Sequence, residues 1–475
     1  MTTIEANERM DANEQLDLAA RVLDLVRAAA GPGAEAEVSV DHYALALTRF
    51  ANSFIHQNVA DDTTTVRLGV HAEGRTAAGS TTLTSPEGLR DLVTRTCEAV
   101  RVSPPDPGWP GLAPPEPLRG QGGYDEATAE ASPQERAARV RAFVDAAGGL
   151  ETAGYCRTSS WHGAYANSAG QAVAASTTDA AMDAIARLDG SDGVARQASV
   201  RLADLDGSVL GARAAAKARA GTSPVELPPG RYEVVLEPCA VADLLSNLAA
   251  WGFNGRLHAE RRSFVELGAD QFDPSVTLVD DPFAPDGPGA AFDAEGTPKR
   301  RLVLADAGTT VAVTHDRRTA AMAGGGARST GHALPGERPF GAVACNLRLL
   351  PAGGADTGGA GEPDGVADPS AAGLVGRVER GLLVTDLWYT RVLDPKTLVM
   401  TGLTRNGVWL IEDGKVTTPV QNLRFTQSYP QALGPGAVKG VGPVASLQPS
   451  GWGVLWWSAP ALHLASWNFT GGASG

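Results

Sequence analysis

The stretch Val234-Val235-Leu236-Glu237-Pro238-Cys239, running on into Ala240–Trp251, constrains this chain more than any other. An apolar strand ends at a proline, and a segment rich in Ala and Leu follows. Proline has no N–H for a ladder, and its fixed φ suits the first turn of a helix. Leu244, Leu245 and Leu248 then recur at helical spacing, a stripe made for a core. A strand feeding a helix is a rigid mount for chemistry, because it aims the helix side chains into a cleft. Cys239 stands where that helix begins, and a helix N-terminus lowers a thiol pKa, so Cys239 is a candidate nucleophile. A small apolar residue filling a packed turn is the competing reading.

Before that stretch, helices and strands come in blocks. Leu16, Ala19, Leu23 and Val26 share one face of a helix over 13–30, which Gly31-Pro32-Gly33 stops. Strand-like runs follow at 35–40 and 48–58, and 64–71 and 75–83 read as a hairpin about Glu73-Gly74. Ser85-Pro86 opens a second helix whose apolar face carries Leu89, Leu92, Val93, Cys97 and Val100, which makes Cys97 a core filler. Residues 102–118 are rich in proline and read as an extended surface connection. Ser132-Pro133-Gln134-Glu135 is a capping box that opens a third helix, to about residue 147. Strands return over 151–205, and a short Ala-rich helix covers roughly 209–220. This order predicts one α+β domain of the α/β-sandwich kind over 1–222.

Residues 223–475 read as a second, β-rich domain, a division the length of 475 residues allows. Hairpins are expected at 299–304 with 309–314 and at 408–411 with 416–420, the second about Asp413-Gly414. A short helix over 316–323 ends at Gly324-Gly325-Gly326. Residues 352–373, low in apolar bulk and full of Gly, Asp and Pro, predict a mobile surface loop. Trp456 and Trp457 would face opposite sides of a strand, lining either a two-sided core or an interface.

Charge and histidine spacing exclude several functions. The net charge is 40 − 54 = −14, with no basic stripe, which argues against binding nucleic acid through its phosphates. Cys97, Cys156, Cys239 and Cys345 are too scattered for a zinc ribbon or a disulfide framework. With no signal-peptide pattern and no apolar run of about 20 residues, the expected place is the cytoplasm, off the membrane. HExxH, HExxxH and HxH spacings are all missing from the sequence, as are GxSxG and phosphate-loop patterns. Asp41-His42, His258 with Glu260, and His315-Asp316 are the histidine–carboxylate neighbours; each reads more simply as a solvated polar pair.

Five segments in order resemble the TldD/PmbA (TldE) family. They are RFANSFIHQN at 49–58, FDAEGTP at 292–298, STGHA at 329–333, GLLVTDL at 381–387 and EDGKVTTPV at 412–420. The family forms heterodimeric metallopeptidases. Its catalytic branch carries HExxxH on the helix after the VVL strand, plus a later zinc ligand. Counted from Val234-Val235-Leu236, those His and Glu positions fall here on Ser246, Asn247 and Trp251. No Cys or His lies between Cys345 and His463 to supply the later ligand. The resemblance therefore implies the PmbA/TldE branch, with no metal in this chain and zinc in a TldD-type partner. It implies an α+β domain followed by a β-rich one, and an extended peptide substrate added to a sheet edge. Two alternatives stay open: an independent hydrolase or amidase with a rebuilt site around Cys239 or a scattered His, and a homodimeric binding protein without catalysis.

Overall fold

The computed structural model describes residues 10–336, 340–352, 365–449 and 455–472. Among these, strands gather into two sheets drawn from separate stretches of the chain. The first has the order β3-β2-β1-β4-β5-β6, built from β1 (Glu35–Ala51), β2 (Phe54–Ala72), β3 (Arg75–Thr81), β4 (Glu151–Asn167), β5 (Ala172–Leu188) and β6 (Ser191–Ser199). Each neighbour is antiparallel. Side chains alternate between faces along a strand. Val38 and Val40 of β1 therefore enter one buried cluster with Leu18 and Val22 of helix α1 (Ala12–Ala30) and Leu92 of α2 (Pro86–Val102). Further along the same face, Phe50 meets Phe143 of the helix over Pro133–Ala146 and Ala214 of the helix over Gly207–Ala220.

The helix ends follow their local signals. Asp11 closes a capping box with Glu14 on α1, Ser85 caps α2, and Ser132 with Glu135 caps the next long helix. Cys97 is buried in the α2 face, as its position requires. One strand reading is corrected. Residues 48–58 are not a single strand, because Asn52 (φ 50°) and Ser53 (φ 64°) turn the chain from β1 back into β2. A two-residue turn with both φ positive matches the twist of the strands it joins, and Asn tolerates that conformation.

The second sheet runs β10-β9-β8-β11-β17-β15-β13-β12-β7. Its strands are β7 (Gly230–Leu236), β8 (Leu278–Asp280), β9 (Leu302–Asp306), β10 (Thr309–Thr310), β11 (Asn346–Leu349), β12 (Arg380–Asp394), β13 (Val399–Glu412), β14 (Lys415–Pro419), β15 (Leu423–Ser428), β16 (Val438–Gln448) and β17 (Trp456–Gly472). β7 pairs with β12 and also with β17, so β7, β12, β13, β15 and β17 close into a ring. Closure hides the polar edges that an open sheet leaves exposed. Val234 and Leu236 face one cluster, with Leu244, Leu245 and Leu248 of the following helix; Val235 faces the other, with Leu374 and Trp409.

The loop expected over 352–373 is corrected at its end. Residues 353–364 lie outside the described residues, but Pro369–Val375 is a helix capped by Asp368, with Ala371, Leu374 and Val375 buried. Three apolar side chains at helical spacing outweigh the Gly-rich surroundings. Trp456 and Trp457 are both buried on opposite faces: Trp457 joins the core of the second sheet, while Trp456 meets Ala181 and Ala198 of the first, with the Arg157 guanidinium 5.8 Å from its ring centroid. Among the described residues, no helix is long and apolar enough to cross a membrane.

Candidate functional site

The strand–proline–helix turn is present. β7 stops at Leu236, Glu237 is the N-cap residue, and the helix α3 runs Pro238–Asn247. Beyond it the backbone widens into one π turn, Leu248–Gly252, a feature often found beside functional sites. The apolar stripe of α3 is sealed in the core, with Leu244, Leu245 and Leu248 at most 1% exposed. Another face carries Cys239, Asp243 and Asn247 at four-residue spacing, with Ser246 beside them.

Asp243 organises that face. It is the one charged residue between Pro238 and Gly255. Its carboxyl accepts hydrogen bonds from Thr390 Oγ1 (2.7 Å) and from Tyr429 Oη (2.8 Å). Burial pushes its pKa up to about 7, against the pull of those two donors, and the nearby Asp386 carboxylate adds to the rise. The Tyr429 phenol, fully buried, is held well above its ordinary value by burial and then by Asp243.

The three positions aligned with HExxxH are turned to structural ends. Ser246 Oγ donates to the Asp243 carbonyl at 2.8 Å, and Asn247 Nδ2 donates to the same carbonyl at 2.9 Å. Trp251, on the π turn, packs edge-on against Phe340 at 5.8 Å and supports the core. A zinc site needs three or four convergent N, S or carboxylate donors. A hydroxyl and an amide committed to a backbone oxygen, with an indole beside a phenyl ring, do not fit one. Among the described residues, no group of three or more His, Cys, Asp or Glu comes together to hold a metal ion.

Cys239 is half-buried, and its Sγ donates to Gln448 Oε1 at 3.1 Å. Burial pushes its thiol up to about 12, and the Arg196 guanidinium only partly offsets this. The thiolate is the nucleophile, so a thiol held this high is inert at neutral pH. Alkylation of Cys239 by iodoacetamide at pH 8 is expected to be at least tenfold slower than that of a free peptide thiol, followed by mass spectrometry; modification at the peptide rate would contradict this geometry.

The N-terminal end of α3 is locked by charge. Lys217 Nζ donates to Glu237 Oε2 and to Thr385 Oγ1 (3.3 Å), and Glu237 Oε1 accepts the Asp368 N–H (2.7 Å). Arg196 bridges Asp183 (2.8 Å) and Asp386 (2.7 Å), tying the first sheet to the second. The histidine–carboxylate neighbours are not partners. His42 Nε2 lies 3.4 Å from Asp62, whereas Asp41 accepts from Trp161 Nε1 at 2.9 Å. Glu260 is held by Arg256 and Arg262, and Asp316 caps the helix over Arg317–Ala323.

The sequence reading missed Asp243 and its partners. Its signal was available, as a lone carboxylate in an otherwise uncharged helix, but Thr390 and Tyr429 stand 147 and 186 residues away.

Residues 229–453 match the family model described as the PmbA/TldA metallopeptidase C-terminal domain. Likeness of fold extends over nearly the whole chain. TldE from Thermococcus kodakarensis superposes with a TM-score of 0.82 at 18% identity, over 96% of this chain and 100% of that one. A proposed modulator of DNA gyrase from Thermotoga maritima gives 0.78 at 18% identity, covering 96% of this chain and 99% of its own. A second such protein, from Bacteroides thetaiotaomicron, gives 0.78 at 19% identity, covering 97% and 100%. No curated protein matches the sequence.

Proposed function

Because this chain belongs, through its C-terminal domain, to the PmbA/TldD family, we propose that it is a zinc-free, TldE-like subunit of a two-chain metallopeptidase. The catalytic zinc sits in a TldD-type partner, and this chain helps form a cleft for extended peptides in the cytoplasm. One observation carries the reading: Ser246 and Asn247 both donate to the Asp243 carbonyl of their own helix, and Trp251 packs on Phe340, so the positions that would present zinc ligands are taken up by the helix backbone and by core packing. Main-chain pairing suits an unfolded substrate because it is tolerant of sequence. The net charge of −14 weighs against direct contact with DNA. The independent-hydrolase reading loses support from the raised thiol of Cys239.

The test uses the purified chain alone and then mixed with a TldD-type subunit, with zinc measured by elemental analysis and cleavage read on an unfolded peptide library. Alone, the chain is expected to hold no zinc and cleave nothing; cleavage appears with the partner and exceeds that of the partner by itself. Stoichiometric zinc with cleavage by the chain alone would sink the reading. Cleavage without zinc would return Cys239 to candidacy.

A further inference from the structure

Where the two sheets meet, the turn of the β5–β6 hairpin stands against β13 and the segment that joins β14 to β15, and a cavity of about 370 Å³ lies between them. That is the lower end of the range for small-molecule sites, roughly 300–1,000 Å³. One wall is built by a bulge. Arg405 pairs with Asp386 and Val408 with Val384, so Asn406 and Gly407 together face the single residue Thr385. A bulge re-aims side chains and is common beside functional sites. Only glycine serves at 407, where φ is 128° and a Cβ would stand 2.0 Å from the Trp409 ring.

The charges that line this cavity do not all cancel in place. Arg187 and Asp192 neutralise each other through two hydrogen bonds, of 2.7 and 3.1 Å. Arg405 and Asp189 are exposed, and neither has an ion-pair partner among the described residues. The Arg405 guanidinium lies 4.4 Å from the ring centroid of Trp388, a contact that positions a cation without neutralising it. Asp189 comes from the hairpin turn of the first sheet and Arg405 from β13 of the second, so the two charges stand on different walls. The Gln421 amide and the Asn422 Nδ2 also line the cavity and have no hydrogen-bond partner among the described residues, whereas Asn422 Oδ1 accepts from Thr404 Oγ1 at 3.3 Å. We propose that this cavity binds a short zwitterionic peptide of dipeptide size. Its carboxylate meets Arg405, its ammonium meets Asp189, and its peptide bond meets the amides of Gln421 and Asn422. A neutral or singly charged ligand would leave one of the two charges without a partner. A free amino acid has no peptide bond to offer the amides. The site stands apart from the zinc-free reading: binding needs neither a partner subunit nor cleavage, so either can fail without the other.

Titration calorimetry of the full-length chain at neutral pH tests the site with three probes: glycylglycine, N-acetylglycylglycine, which lacks the ammonium, and glycylglycinamide, which lacks the carboxylate. Glycylglycine is expected to bind roughly tenfold more tightly than either, the loss for one charge-assisted contact. Arg405→Gln should lower its affinity about tenfold and erase its advantage over glycylglycinamide. Asp189→Asn should do the same against N-acetylglycylglycine. Both side chains are exposed, and circular dichroism checks that the variants fold. No saturable binding of glycylglycine at millimolar concentrations would overturn the proposal. So would equal affinity for the three probes, or unchanged affinity in either variant.

Discussion

Replacing Lys217 with alanine is expected to destabilise the protein by about 3–5 kcal/mol, the range for breaking one side of a buried ion pair. Lys217 and Glu237 are each 2% exposed. Water cannot reach the Glu237 carboxylate once its ammonium partner is gone, and the remaining Asp368 N–H does not balance a full charge. Removing the charge on both sides should cost far less, because the penalty lies in the unpaired ion and not in the lost attraction. Lys217→Met with Glu237→Gln keeps the volume and leaves an amide oxygen for the Asp368 N–H. Urea unfolding followed by circular dichroism separates the cases. Equal losses in the single and double variants would contradict this account. Because Glu237 stands at the N-cap position of α3, the single variant should also loosen the face that carries Asp243.

Stability should fall as the pH rises from 5 to 8. A carboxyl whose pKa is raised in the folded state holds a proton that the unfolded chain releases. For Asp243, raised from 3.8 to about 7, the contribution is complete below 3.8 and is lost as pH climbs through 7. Glu295 acts in the same direction, raised from 4.5 to about 8 by burial and then by the Asp293 carboxylate beside it. Each group adds a slope approaching ~1.4 kcal/mol per pH unit inside its window. Depressed carboxylates oppose this in acid. Asp106, held at about 2 by the Arg318 guanidinium, contributes stability that is present above 3.8 and lost as pH falls through 2. The unfolding midpoint should therefore peak in mildly acidic solution. Asp243→Asn keeps the shape and removes the proton, so its profile should be flatter between pH 4 and 7. Parallel profiles for variant and wild type would show that Asp243 does not carry the slope.

The turns and helix ends were legible wherever one residue type has one local solution. Ser85-Pro86, the Ser132–Glu135 box and Asp413-Gly414 each satisfy backbone groups within a few residues, so their signals survive without knowledge of the fold. The misread stretch at 48–58 fails for the same reason in reverse. Phe50, Phe54 and His56 keep an even spacing across the turn at Asn52-Ser53, so periodicity alone runs straight through it. The helix at 369–375 was hidden by the composition of its neighbours, although its own apolar spacing was regular.

The sequence by itself determined the alternation of elements, the strand–proline–helix turn and the lack of any zinc-helix spacing. All of these are set by residues close together along the chain. Only the tertiary structure decided what that helix does. Whether Asp243 is a solvated carboxylate or a buried acid near neutrality depends on Thr390, Tyr429 and Asp386, which the ring of β7, β12, β13, β15 and β17 brings to it. Whether Cys239 is activated by a helix N-terminus or silenced by burial likewise depends on what packs over it. Solvation acts through the nearest atoms in space, and chain order does not list those atoms.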